Sequence, residues 1–279
     1  GRKNKPIIRD PATNVGVPDY IVLESTYGNR LHENTDEAME ILAKVVKRAR
    51  DTGGKIIIPA FAIERTQELV YYFHLLFEQR KIPEIPIYVD SPMATNATSI
   101  FQVHPECYDE ETHKAFLTHH KNPFGFNSLR FTQSVEESKH LNELEGPMII
   151  ISADGMCEAG RIVHHLYNNI EDPNTTILLV GFMAENTLGR RLQNGEEEVK
   201  VIGEWKKVRA KVEQINAFSA HADYQETLDW LKEIDTSRLK KIFLVHGEKA
   251  AQKNLTKVLN ENGFNDVEVI SYGRTYILD

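Results

Sequence analysis

The sequence predicts an α/β protein with a mostly parallel sheet flanked by helices, and three observations predict it. Nearly continuous apolar runs, such as Ile56-Ile57-Ile58, Met148-Ile149-Ile150-Ile151 and Ile177-Leu178-Leu179-Val180, read as strands covered on both faces. Stretches with apolar residues at helical spacing separate these runs. Residues able to do chemistry stand at strand ends: Glu24 after Tyr20-Ile21-Val22-Leu23, His221 in Ala217-Phe218-Ser219-Ala220-His221-Ala222-Asp223, and His246 after Ile242-Phe243-Leu244-Val245. Open α/β sheets build their sites outside the carboxyl ends of their strands.

The elements follow in order. Ala38, Ile41, Leu42, Val45, Val46 and Ala49 make one helix face, with Asn34 or Thr35 as its cap and Gly53-Gly54 as its end. Lys55–Pro59 is a buried strand. Glu64–Arg80 is a helix that turns Leu69, Val70, Phe73, Leu76 and Phe77 to the core. Strands are expected at 85–90, 148–152 and 176–181, with a less regular helical excursion over 104–147. Val208, Ala210 and Val212 alternate with charged residues, as in a half-exposed strand. A helix from Gln225 to Ile234, a strand at 241–246 and a helix from Ala250 to Asn262 complete the chain, with Gly263 placed to end the last helix.

A chain of 279 residues suits two domains. The change of pattern near 200–212 puts one boundary there. The expected division is 1–30 together with 208–279, and an inserted domain at 31–207. With 41% hydrophobic and 27% charged residues, the chain is neither disordered nor fibrous. No run approaches the roughly 20 apolar residues of a membrane helix, and no basic-then-apolar leader is visible. Cys107 and Cys157 lack a paired spacing and are expected as free thiols in a reducing cytoplasm. A net charge of −8 repels phosphates overall, so any nucleic-acid site needs a local basic surface.

The motifs, in order, are Glu24-Ser25-Thr26-Tyr27-Gly28-Asn29-Arg30, Ile58-Pro59-Ala60-Phe61-Ala62 with Arg65-Thr66-Gln67-Glu68-Leu69, Asp90-Ser91-Pro92-Met93-Ala94, and Ser152-Ala153-Asp154-Gly155-Met156 with Gly160-Arg161. Gly181-Phe182 with Thr187-Leu188-Gly189-Arg190, Phe218-Ser219-Ala220-His221-Ala222-Asp223, and Val245-His246-Gly247-Glu248 follow. Their order and spacing resemble the β-CASP family of the metallo-β-lactamase superfamily, which includes RNase J and the endonuclease of the cleavage and polyadenylation factor. The resemblance runs over essentially the whole chain and is closest to the short prokaryotic RNA-processing members. It implies a β-CASP domain beside the C-terminal part of a metallo-β-lactamase αββα domain.

The resemblance also implies roles. Glu24 and His221 match the family's catalytic pair, in which the carboxylate orients a histidine that protonates the leaving oxygen. His246 matches a zinc ligand, and two zinc ions are implied for the family's site. The implied activity is hydrolysis of RNA phosphodiesters, by endonucleolytic or exonucleolytic cleavage. The chemistry suits these residue types, because neutral imidazole binds zinc and a carboxylate keeps a histidine usable as an acid near neutral pH. The family's His-x-His-x-Asp-His motif and its remaining ligands have no counterpart here; His119-His120 and His164-His165 lack the spacing. The missing aspartate would fall just upstream of Gly1-Arg2, so the chain is expected to be a C-terminal fragment, inactive by itself.

Other residues carry two readings. Arg65, Arg161 and Arg190 each follow a strand end, and either clamp RNA phosphates or pair with a neighbouring glutamate. Ser219 and Ser152 are candidates to hold a phosphate or base. Phe182, Tyr27 and Phe61 either stack on bases or pack in the core. Lys44, Lys47, Arg48 and Arg50 read as a solvated face, and Asp90-Ser91-Pro92 as a helix cap. His104, His113, His119 and His120 read as solvated. Two alternatives to an RNA nuclease stay open: a non-catalytic RNA-binding or scaffold relative, and a DNA-directed member. Exposed apolar strands at 21–23 and 242–245 are expected to drive aggregation, domain swapping or a homodimer.

Overall fold

A computed structural model describes residues 1–119 and 124–278. His120 lies outside the described residues. The chain divides into two compact units. One is formed by residues 1–5, 9–32 and 220–279, the other by 6–8 and 33–219.

Along the chain, β1 (Tyr20–Glu24) leads to α1 (Thr35–Thr52), β2 (Lys55–Pro59) and α2 (Arg65–Glu78). Next come β3 (Ile87–Asp90), α3 (Pro92–Val103), α4 (Glu110–His119), β4 (Leu129–Phe131) and α5 (Val135–Glu143). Then follow β5 (Met148–Ser152), α6 (Ile162–Asn169), β6 (Thr176–Val180) and α7 (Leu188–Gln193). The last part holds β7 (Glu198–Val201), β8 (Glu204–Lys207), β9 (Lys211–Ile215), α8 (Tyr224–Glu233), β10 (Lys241–Val245), α9 (Lys249–Glu261) and β11 (Val267–Val269).

The inserted unit holds a six-stranded sheet in the order β4-β3-β5-β2-β6-β9, and every pairing in it is parallel. Its centre is apolar because it is covered on both sides: β2, β5 and β6 are buried at every position. Each buried isoleucine or leucine there contributes roughly 1.5–3 kcal/mol. The faces part cleanly. Ile56 and Ile58 pack with Leu42, Val46 and Leu69 of α1 and α2. Ile57, Ile177 and Leu179 pack with Ile162 and Leu166 of α6 and Leu192 of α7.

Local signals act as the sequence suggests. Asn34 caps α1 by accepting from the Asp36 amide, and Gly53 ends it at φ +70°, a backbone conformation that glycine adopts freely. Ser91 caps α3 with Pro92 in its first turn, so the capping role belongs to Ser91 and not to Asp90. Arg48 leaves the otherwise solvated basic face of α1 to pair with Glu213 at 2.6 Å.

Two features depart from the sequence reading. Residues 208–219 belong with the inserted unit, because β9 pairs along its length with β6. The weak alternation at 208–212 leads into a half-covered edge strand of the same sheet. Residues 198–207 form an antiparallel hairpin that the reading did not assign. Its two-residue turn, Ile202-Gly203, has both φ values positive (+49° and +84°).

The other unit is built from both ends of the chain. β1, β10 and β11 form a parallel sheet in which Tyr20 pairs with Lys241 and Glu24 with Val245. Ile21, Ile242 and Leu244 on one face bury against Leu228 and Leu231 of α8 and Leu255 and Leu259 of α9. Val22, on the opposite face, is 68% exposed. Both cysteines are free thiols, Cys107 exposed and Cys157 buried. Among the described residues no helix is long and apolar enough to cross a membrane.

Candidate active site

The parallel register of β1 and β10 brings Glu24 and His246 to the same end of the same sheet. The Ser25 amide donates to the His246 carbonyl at 3.1 Å, and the Ser25 hydroxyl donates to the Val245 carbonyl at 2.7 Å. Gly247 allows this approach: a Cβ there would lie 2.6 Å from Ser25 Oγ and 2.7 Å from its carbonyl oxygen. His246 itself turns at φ +46°. Its Nδ1 lies 2.9 Å from Thr26 Oγ1, whose hydroxyl also donates to the His246 carbonyl. In the tautomer where that hydroxyl proton goes to the carbonyl, Thr26 accepts from Nδ1–H and Nε2 keeps its lone pair for a cation. His246 is exposed, so that nitrogen is reachable.

His221 arrives from the loop before α8. Its Nδ1 lies 3.2 Å from Glu24 Oε1, and its ring stacks on His246 with centroids 5.4 Å apart. The other Glu24 oxygen accepts from the Thr26 amide at 2.7 Å. Burial favours the neutral acid, but the bonds from His221 and Thr26 outweigh it and hold the Glu24 carboxyl below its ordinary value. A carboxylate therefore faces the imidazole and orients it through Nδ1. One donor atom each from Glu24, His221 and His246 lies within 4.8 Å of the others.

Beneath this trio is a cluster the sequence reading did not single out. The His32 amide donates to Asp223 Oδ2 at 3.0 Å, and His32 Nε2 lies 2.8 Å from the His221 carbonyl oxygen. Asp223 also caps α8 by accepting from the Gln225 and Glu226 amides. Arg2 Nε contacts both oxygens of Glu226, at 2.9 and 3.0 Å. His32, Asp223 and Glu226 form a second close set of possible ligands, but Arg2 already supplies positive charge there. Burial, and then the Arg2 charge, hold the His32 imidazole below its ordinary value. The signal in the sequence was the histidine eight residues after Glu24 and the Asp223–Glu226 spacing of a capping box.

The inserted unit holds its own carboxylate–histidine pair, also unassigned from sequence. Asp90 is fully buried at the end of β3. It accepts from Arg161 Nη1 at 2.7 Å and from Ser138 at 2.6 Å, and meets His165 Nε2 at 2.7 Å, with Thr132 as a further donor. Burial pushes its acidity down, but bonds from His165, Ser138, Thr132 and Arg161 more than reverse this and hold the carboxyl at about 2.

The remaining candidates divide. Arg161 is held by Asp90 and by the Gln133 carbonyl. Arg65 is buried in an ion pair with Glu68, one turn on. For both, the structure places the guanidinium in an ion pair, the alternative to a phosphate clamp. The Ser152 hydroxyl is buried and donates to the Asp90 carbonyl at 2.9 Å. Ser219 is buried, its amide donating to the Asn216 carbonyl. Arg190 is half-buried; its Nε donates to the Met183 carbonyl, and its guanidinium lies 5.4 Å from the centre of the Phe182 ring. Tyr27 is fully buried, whereas Phe61 is 53% exposed. His165 is buried and His164 exposed; His104 is exposed, and His113 is half-buried.

Comparison with known proteins places two domains on this geometry. Residues 66–192 match the Beta-Casp domain, and residues 205–270 match the Zn-dependent metallo-hydrolase RNA specificity domain. Ribonuclease TTHA0252 of Thermus thermophilus is 33% identical over 273 residues, 98% of this chain and 61% of that protein. The RNase J-like protein of Methanocaldococcus jannaschii is 31% identical over 239 residues, 85% of this chain and 54% of that protein. Transcription termination factor FttA of Methanosarcina mazei is 30% identical over 250 residues, 87% of this chain and 39% of that protein. The chain thus spans between 39% and 61% of these relatives.

Proposed function

The chain belongs to the β-CASP family of the metallo-β-lactamase superfamily, and from that premise we propose that the protein is an RNA-processing nuclease that hydrolyses phosphodiester bonds. The observation that carries this reading is the Glu24–His221 pair, 3.2 Å apart and open to solvent beside His246. In this reading His221 gives a proton from Nε2 to the departing ribose oxygen. Glu24 holds the ring by Nδ1 and stabilises the imidazolium form. His246 offers Nε2 to zinc.

The donor chemistry fits that metal, because His246 presents a reachable, oriented imidazole whose other nitrogen is fixed by Thr26. Zinc, when bound, supplies Lewis acidity and lowers the pKa of its water. A two-zinc centre needs more ligands than this trio offers, since His221 and Glu24 are committed to each other. Among the described residues, the other close donor set is held by Arg2. The chain alone is therefore proposed to be inactive. Arg190 stacked on Phe182 is proposed as an RNA contact; Ser219 and Ser152, both buried, would act through the backbone around them. Homodimerisation through the exposed face of β1 is proposed as well.

The test pairs two measurements. Elemental mass spectrometry of this chain after dialysis against trace zinc should find well under two metals, and RNA hydrolysis by the complete gene product should fall at least about 100-fold in His221→Ala. Two tightly bound metals on this chain, or full activity in the variant, would overturn the assignment.

A further inference from the structure

We propose that His32 is the positioning residue of the candidate active site, acting through the main chain of His221; the inference rests on the reading of His221 as the acid. Its side chain is 2% exposed and bridges two segments remote in sequence. A carbonyl oxygen only accepts, so the Nε2 that lies 2.8 Å from the His221 oxygen carries the proton. In the neutral ring Nδ1 is then a bare acceptor, and it is buried without a hydrogen-bond partner. Burying such an atom without a partner is destabilising. An apolar ring of the same size would fill the space and pack on Tyr27, whose ring centre is 4.6 Å away, without that cost. What only histidine adds is the Nε2–H aimed at the His221 carbonyl.

That bond fixes the rotation of the peptide just after His221 and, with it, the direction of the side chain. The His221 imidazole is 38% exposed, with the rings of His246 and Tyr27 beside it. Its registration on Glu24 depends also on the backbone beneath. The His32 amide adds a second tie, to Asp223, two residues beyond His221. The loop bearing the acid is thus pinned to the segment that follows β1, the strand that carries the partner carboxylate.

The test uses the complete gene product and a set of substitutions. His32→Phe keeps the ring and removes the donor. His32→Gln places an amide N–H near the Nε2 position. His32→Asn is polar but too short. The expected result is a kcat lowered roughly 10- to 100-fold in His32→Phe, with KM and bound metal unchanged. His32→Gln recovers most of the loss and His32→Asn does not. Ring 15N shifts of His221 should show loss of the Nδ1–H tautomer in His32→Phe. If His32→Phe fails to fold, the contrast between Gln and Asn decides.

Equal damage in Gln and Asn, or unchanged kcat in His32→Phe while His221→Ala is dead, overturns the positioning role. Activity retained in His221→Ala instead overturns the underlying reading of the acid, and the positioning role with it.

Discussion

The molecule contains the same chemical pair twice, in opposite settings. Asp90 and His165 meet at 2.7 Å with both side chains fully buried. Glu24 and His221 meet at 3.2 Å with side chains 31% and 38% exposed. The Asp90 carboxylate is crowded by Arg161, Ser138 and Thr132, and Asn142 takes the other nitrogen of His165. Each nitrogen of that ring is engaged within the fold. The Glu24 pair stands at the surface, its histidine stacked on the exposed His246. A carboxylate–histidine contact thus holds structure when it is sealed in the core, and is equipped for chemistry when solvent and substrate can reach it.

The largest effect that can test this contrast is His221→Ala, which should lower RNA cleavage by the complete protein about 10²- to 10⁴-fold. Its melting temperature should barely move, since an exposed pair adds at most about 1 kcal/mol. A large loss of stability would erase the distinction. Asp90→Asn should act in the opposite sense. Removing the carboxylate charge leaves Arg161 and His165 facing a neutral amide at a buried position, at a cost of about 3 kcal/mol. Urea denaturation would read it, and a change below about 0.5 kcal/mol would show that the network is dispensable.

Glu24→Gln is a smaller perturbation. The amide preserves shape but no longer favours the imidazolium form, and kcat should fall roughly 10- to 100-fold while the fold is kept. An unchanged kcat would remove Glu24 from the mechanism. The mildest test is pH. The Asp90 carboxyl is held at about 2, below its ordinary 3.8. A depressed carboxyl stabilises the fold above its unfolded pKa, and that contribution is lost as pH falls through the folded value. Thermal scans should therefore lose stability between about pH 4 and pH 2 in the native chain, and lose less in Asp90→Asn. Parallel curves would mean another carboxylate governs the acid limb.

Much of this was legible in sequence because it depends on local chemistry. The buried strands at 55–59, 148–152 and 176–180 declare themselves by continuous apolar residues, and Asn34, Gly53 and Pro92 mark helix ends by what their side chains can or cannot do. Strand-end placement also picked out Glu24, His221 and His246, which the structure brings together. What escaped depends on partners far along the chain. Nothing near Asp90 tells that Arg161 and His165 will close on it, so its neighbours suggested only a cap. His32 acquires meaning through a carbonyl 189 residues away. The strand at 211–215 is assigned to its sheet by β6, not by its own alternation. Ile202-Gly203 lacks the asparagine or aspartate usual in such turns, so the hairpin went unassigned.

The two-ended unit also sets a timetable for synthesis. Residue 20 cannot find its sheet partner until residue 241 has been made. At ribosomal speeds of about 5–20 residues per second, β1 waits on the order of ten to forty seconds. Meanwhile the inserted unit, nearly continuous in sequence, has all its strands and can close. Asn216, near its exit, already clasps Glu33, near its entrance, by two bonds of 3.1 Å. The nascent chain thus holds a finished insertion while the strand ahead of it still waits for β10.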